Sequence, residues 1–140
     1  MLTEFTAETW PRDRWPNFSF NEAKCSHTGL CFLEPEFMDV LQRIRTEVDK
    51  PLTISSLFRG RTHPVESKKN TTGTHVLGVA CDITADGGLK AEILDVIHRV
   101  ILGPNDMPLI SGIGVNKSFL HLDTAEQILP YRPRPWVWTY

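Results

Sequence analysis

Gly73-Thr74-His75-Val76-Leu77-Gly78-Val79-Ala80-Cys81-Asp82-Ile83 is the stretch whose reading decides how the chain folds. Its second half alternates, with Ala80, Asp82 and Thr84 set against Val79, Cys81 and Ile83, and a period of two marks a strand whose faces see different surroundings. Such a strand puts Asp82 on one face among small neighbours and turns Cys81 to the other as a small core residue. His75 lies in the turn before Gly78, in a His-x6-Asp spacing with Asp82.

Outward from this strand the pattern is that of a small mixed domain. Beyond Asp86-Gly87-Gly88, the residues Leu89, Ile93, Val96, Ile97, Val100 and Ile101 describe an amphipathic helix ended by Gly103-Pro104. Ile110 to Val115 and Phe119 to Thr124 read as two short strands around Asn116-Lys117-Ser118, a hairpin in which His121 and Asp123 project from one face. Upstream, the polar residues Gly60 to Gly73 form a long loop, of the kind that is usually functional inside a compact domain. Before it, the β-rich run Leu52 to Leu57 makes a strand that delivers Phe58 and Arg59 to its end. Pro35 at a first helical position, with Phe37, Met38, Leu41, Ile44 and Val48 at helical spacing, predicts a helix over Pro35 to Val48 that Pro51 stops. Residues 1–17, with Trp10, Pro11, Trp15 and Pro16 among charges, read as an irregular N-terminal arm laid over a domain of residues 18–140. The fold class is α+β, helices packed on a small, mostly antiparallel sheet.

Composition narrows the functions open to such a domain. The 140 residues, 41% of them hydrophobic, suit one core and not two. A formal charge of −2 with no long basic run leaves no electrostatic footprint for nucleic acid. Met1-Leu2-Thr3-Glu4-Phe5 lacks the basic and apolar regions of a signal peptide, and no segment approaches a membrane span, so a soluble monomer made in the cytoplasm is expected. Cys25, Cys31 and Cys81 are an odd number and read as free thiols, with Cys25 and Cys31 flanking a turn at Gly29.

His75, Asp82 and the pair His121/Asp123 carry the candidate chemistry. Zinc takes imidazole nitrogen and carboxylate oxygen at about 2.0–2.2 Å, so its ligands must converge from separate segments, and three protein ligands with an open position mark a catalytic site. His75 and Asp82 can meet at the sheet face, and His121 arrives from a neighbouring strand. Asp123 then stands near as general base for a bound water or as the partner that orients a ligand. Gly78 and Ala80 leave volume beside the metal. Two alternatives stay open on spacing alone: the histidines simply pack, or Asp123 binds the metal while His121 moves the proton. Arg59 has a bland reading as a surface ion-pair residue, His98 as a solvent-facing helix residue, and His27 and His63 as loop histidines.

The motifs also stand in a telling order. Ile54-Ser55-Ser56-Leu57-Phe58-Arg59, His63-Pro64-Val65-Glu66-Ser67-Lys68-Lys69 and the His-x6-Asp stretch resemble the zinc peptidases of the D-alanyl-D-alanine carboxypeptidase family. Gly112-Ile113-Gly114-Val115, Phe119-Leu120-His121-Leu122-Asp123-Thr124 and the closing Arg134-Pro135-Trp136-Val137-Trp138-Thr139-Tyr140 are similar to its phage and bacterial branch. The resemblance covers about residues 18 to 140 and implies a single zinc peptidase domain with the fold shared by the zinc domain of hedgehog proteins. It further implies a metallopeptidase that cuts peptidoglycan stem peptides in cell-wall lysis or remodelling. Carboxypeptidase and endopeptidase action both remain open.

Position by position, the resemblance makes His75, Asp82 and His121 the Zn2+ ligands and gives Arg59 the substrate's carboxylate or carbonyl oxygen, for which a planar guanidinium fork is suited. Asp123 is left with the proton work. Two positions depart from the family. Gly73 stands where many members have Ser, and Ser118 where some carry a catalytic acid. The expected partner is a peptidoglycan stem peptide, reached after lysis or from a virion. The rival within the same fold is a non-catalytic zinc-containing module for wall binding or virion structure.

Overall fold

The computed structural model describes residues 1–140, as β1 (Thr3–Glu4), α1 (Phe20–Ala23), β2 (Phe32–Leu33), α2 (Pro35–Val48), β3 (Thr53–Ser56), β4 (Ala80–Thr84), α3 (Gly87–Arg99), β5 (Gly112–Val115), β6 (Phe119–Asp123) and β7 (Trp136–Thr139), with a 3-10 turn at Pro104–Asp106. The architecture is α+β. A five-stranded sheet has the order β3-β4-β6-β5-β7, antiparallel throughout except for the parallel β5–β7 pair, and β1 pairs with β2 in a separate ribbon. No helix is long and apolar enough to cross a membrane.

Local chemistry accounts for the helices. α2 begins at Pro35, whose fixed φ suits a first turn and whose missing N–H would be unbonded there anyway. It buries Phe37, Met38, Leu41 and Ile44, each worth roughly 1.5–3 kcal/mol, and ends at Asp49 in the left-handed region (φ 53°). α3 is capped by Asp86, whose carboxylate accepts from Leu89 N–H at 2.8 Å, and it buries Ile93 and Ile97. α1 was invisible to periodicity, being one turn held by a Ser19/Glu22 capping box.

The alternation read at Ala80–Ile83 is what the sheet displays. Cys81 and Ile83 of β4 join Leu120 and Leu122 of β6 in a hydrophobic cluster of 23 residues, while Asp82, His121 and Asp123 take the opposite face. The register sets Asp82 directly across from His121 and Ala80 across from Asp123. All three cysteines are free and buried, and Gly29 between the first two has φ +73°.

Two segments carry more structure than periodicity reveals. Residues 1–17 are mostly turn and irregular backbone, yet β1 pairs with β2, and Trp10 and Trp15 sit within the main hydrophobic cluster. At the other end, β7 extends the sheet beside β5 and carries Trp138 onto the site face, where its ring lies over Gly114 so closely that a Cβ there would meet the indole at 2.7 Å.

Gly78 turns out to guard a different space from the one beside His75 and Asp82. It has φ +70°, and a Cβ on it would fall 2.6 Å from the Phe32 carbonyl oxygen and 2.8 Å from Leu33 Cα of β2. The glycine lets the loop behind His75 press against that ribbon, which Gly78 C=O and Glu34 N–H bond at 3.0 Å. Gly78→Ala should therefore cost on the order of 1–3 kcal/mol from backbone strain, with the clash added, as read by urea unfolding.

Candidate metal centre

His75, Asp82 and His121 are brought together. One donor atom from each lies within 4.8 Å of the others, and all three residues are buried. His75 Nε2 stands 3.3 Å from Asp82 Oδ1, and His121 Nδ1 stands 2.9 Å from the same oxygen. A tetrahedral ion with bonds of about 2.0–2.1 Å holds its donors roughly 3.3 Å apart, so the spacing fits such an ion with little movement.

The far nitrogen of each ring is already committed. His75 Nδ1 lies 2.6 Å from the Leu57 carbonyl, and His121 Nε2 lies 2.9 Å from Asp123 Oδ2. A carbonyl and a carboxylate only accept, so both outer nitrogens donate. The neutral form of each ring then presents a lone pair to Asp82 Oδ1. Two lone pairs facing a carboxylate oxygen are reconciled only by a cation, a proton or a metal ion, so the residues present could hold a metal.

Asp123 lies outside that convergence. It is fully buried and its oxygens are filled: Oδ1 accepts from Arg134 Nε at 2.9 Å and Ala125 N–H at 3.1 Å, and Oδ2 accepts from Arg134 Nη2 at 2.7 Å and from His121. Burial raises its carboxyl, but the bonds from His121 and Arg134 outweigh that and hold it at about 2. Stability from this pairing is therefore whole above the ordinary value of 3.8 and is lost only as pH falls through about 2. Burial likewise raises Asp82, and the two imidazoles overturn it, so Asp82 stays ionised. Burial lowers His75, whereas in His121 the neighbouring Asp123 and Asp82 reverse the effect of burial and raise it.

Arg59 borders the cleft beside these ligands, with its side chain 17% exposed. Its Nε donates to Ser56 Oγ at 2.9 Å, Nη2 to Asp82 Oδ2 at 2.9 Å and Nη1 to Glu66 Oε1 at 3.3 Å. The cleft has a volume of about 330 Å³. His98 is exposed, and His27 and His63 form an edge-to-face pair with centroids 6.3 Å apart, His63 lining a recess with Arg59 and outside the convergence of His75, Asp82 and His121.

Three participants escaped sequence reasoning. Arg134 clamps Asp123, Trp138 packs on the His121 ring at 5.2 Å between centroids, and Glu66 holds Arg59 and Lys69. A signal for the first two existed. Glycine inside a strand often marks a close approach, and at Gly112 a Cβ would collide with Asp123 and lie 2.6 Å from Arg134 Nε. Glu66 stands in a motif that resembles the family, but nothing in that motif assigned it a role.

The family model described as Peptidase M15 matches residues 16–123. The chain therefore belongs to the M15 family of zinc D-alanyl-D-alanine carboxypeptidase-like metallopeptidases. No curated protein and no solved structure matches it.

Glu66 also explains the departure at Gly73. A Cβ at that position would run into Glu66 Oε2 and approach Lys69 Nζ at 2.9 Å, so the carboxylate fills the place of the missing side chain. Burial raises the Glu66 carboxyl, but Lys69 and Arg59 more than offset this and keep it below its usual range. Gly73→Ser should push the carboxylate off Arg59 and cost on the order of 1–3 kcal/mol, the worth of a hydrogen bond to a charged group. In a double-mutant cycle with Glu66→Ala, followed by thermal unfolding, the serine should cost clearly less. Equal cost in both backgrounds would mean that the two positions do not compete for space.

Proposed function

We propose that this chain is a zinc-dependent peptidase that hydrolyses peptide bonds of peptidoglycan stem peptides, acting on the bacterial wall in lysis or remodelling. The single observation that carries the reading is the pair of imidazoles with tied outer nitrogens and inner nitrogens converging on Asp82, at the edge of an open cleft that Arg59 also lines. Three protein donors rather than four are the mark of a catalytic centre, and this favours an enzyme over a wall-binding or virion module of the same fold. The hedgehog-type fold, the phage setting and the monomeric state belong to the same reading.

His75, Asp82 and His121 would hold the ion. Zinc, when bound, lowers the pKa of a water from about 15.7 towards about 7 and polarises a carbonyl. Leu57 C=O and Asp123 keep the two imidazoles in the tautomer that offers a lone pair inward, and Trp138 packs against the His121 ring to limit its rotation. Arg59, held by Ser56, Asp82 and Glu66, keeps N–H groups for a substrate oxygen. Asp123 was expected as general base or orienter. Its full burial and four accepted bonds support the second role, because a base must reach the water whose proton it takes.

Metal analysis of purified protein should find about one zinc per chain. Amine release from purified peptidoglycan should stop with chelator and return with zinc. His75→Ala should lose the metal and the hydrolysis together, and hydrolysis by a metal-free chain would refute the proposal. Retained wall binding with no amine release would support the non-catalytic module instead.

Asp123→Asn separates orienter from base. As orienter it should weaken zinc affinity by about 10–100-fold, measured by competition with a chromogenic chelator, and excess zinc should recover much of the rate. Unchanged affinity with a collapsed rate would return Asp123 to the role of base.

A further inference from the structure

The edge strand β7 carries two indoles on one face. Trp136 and Trp138 stand two residues apart, so both turn the same way, about 7 Å from one another along the strand. Trp138 packs on the His121 ring, with 5.2 Å between centroids. Trp136 continues outward into a groove of about 680 Å³ that adjoins the cleft at His75, Asp82 and His121, the two sharing Lys69, Thr74, Arg134 and Trp138 in their walls. One surface therefore leads from the three ligands into the groove.

Both walls of the groove are tied down. On one side runs the loop 69–74, which Glu66 anchors through Lys69 at 3.0 Å. On the other, Ile128 and Arg132 close a short hairpin by exchanging backbone hydrogen bonds at 2.8 and 2.6 Å, and that hairpin carries Tyr131. Tyr131 is nevertheless 74% exposed and Trp136 53% exposed. Aromatic surface left uncovered inside a concave, polar-rimmed groove is the arrangement of a ligand site, since packing of the fold makes no use of it.

The polar groups select the ligand. No Asp or Glu lines the groove, and Lys69 and Arg134 are already paired with Glu66 and Asp123. What remains is mostly neutral: the amide of Asn70 and the hydroxyls of Thr71 and Tyr131, joined by the guanidinium of Arg132. A pyranose ring has apolar C–H faces and a rim of hydroxyl and acetamide groups, so it matches flat aromatic faces bordered by neutral donors and acceptors. An extended peptide would instead find its partners along the backbone of β7, the last strand of the sheet. A stem peptide is joined at one end to the glycan strand, so a stem peptide seated at His75, Asp82 and His121 brings sugar to their flank.

We propose that the groove walled by Tyr131 and Trp136 is a saccharide-binding subsite that holds the N-acetylated hexosamines of a peptidoglycan glycan strand. The choice of this sugar rests on the peptidase reading above, whereas the fit to a sugar ring rests on the groove itself.

The test uses the full chain with a peptidoglycan tetrasaccharide stripped of its stem peptides, a sugar-free stem peptide, and the two joined. The tetrasaccharide alone should bind in calorimetry and should shield tryptophan fluorescence from iodide. Trp136→Ala and Tyr131→Ala should each weaken that binding by about tenfold, the worth of a stacking contact, and Trp136→Phe should keep most of it. With the zinc-loaded chain, the joined substrate should show a KM about tenfold below that of the sugar-free peptide, and Trp136→Ala should erase the difference. No binding of the tetrasaccharide at millimolar concentration, or binding that ignores both alanine substitutions, would overturn the proposal. So would a Trp136→Ala effect confined to the sugar-free peptide, which would make the groove a peptide subsite, or a dimer that this substitution dissolves, which would give the groove to a second copy. Tetrasaccharide binding through Trp136 by a zinc-loaded chain that cleaves neither substrate would uphold the subsite and sink the peptidase reading.

Discussion

A single line of alternating basic and acidic side chains runs through the site: Lys69, Glu66, Arg59, Asp82, His121, Asp123, Arg134. Taking a charge out of water costs several kcal/mol, and each buried carboxylate in the line recovers it from partners on both sides, His121 adding a charge only when protonated. The line therefore behaves as a unit. Removing a member from its middle leaves each of its two neighbours with a partner on one side only, so the geometry of Asp82 and His121 depends on the ends of the line. Those ends are a loop lysine and an arginine in the C-terminal segment, both remote in sequence from the ligands they steady.

What lets so many charges lie together is the backbone beneath them. The antiparallel register puts Asp82 opposite His121 and Ala80 opposite Asp123, while β5 offers only glycines, Gly112 and Gly114, to the same face. The side chains of Asp123, Arg134 and Trp138 occupy the space that larger residues would have taken. On the reverse face Cys81, Ile83, Leu120 and Leu122 provide the apolar burial that keeps the strands in this register. A slip of one residue would exchange the two faces and send Asp82, His121 and Asp123 into the core.

The parts that could be read from the chain are those governed by local rules. α2 has the bounds its proline and apolar spacing set, Asp82 and Cys81 fall on opposite faces as alternation requires, and His75, Asp82 and His121 converge once those strands pair. The parts that resisted are products of tertiary contact. Nothing local to Arg134 says that its fork reaches back to Asp123, and nothing local to Trp138 says that a parallel edge strand will lay it over His121. The expected role of Gly78 failed for the same reason, since its constraint comes from β2, a ribbon too short to announce itself.

The contact between Gly73 and Glu66 bears on how such chains are compared. Read column by column against its family, this sequence loses a hydroxyl at position 73, next to a loop whose Glu66 has no assigned role. Taken as one volume, the two positions are linked: the space beside His75 that a side chain at position 73 would need is held by a carboxylate oxygen from seven residues earlier. Drift at either position is then conditional on the other, and the pair should covary among chains that share this loop.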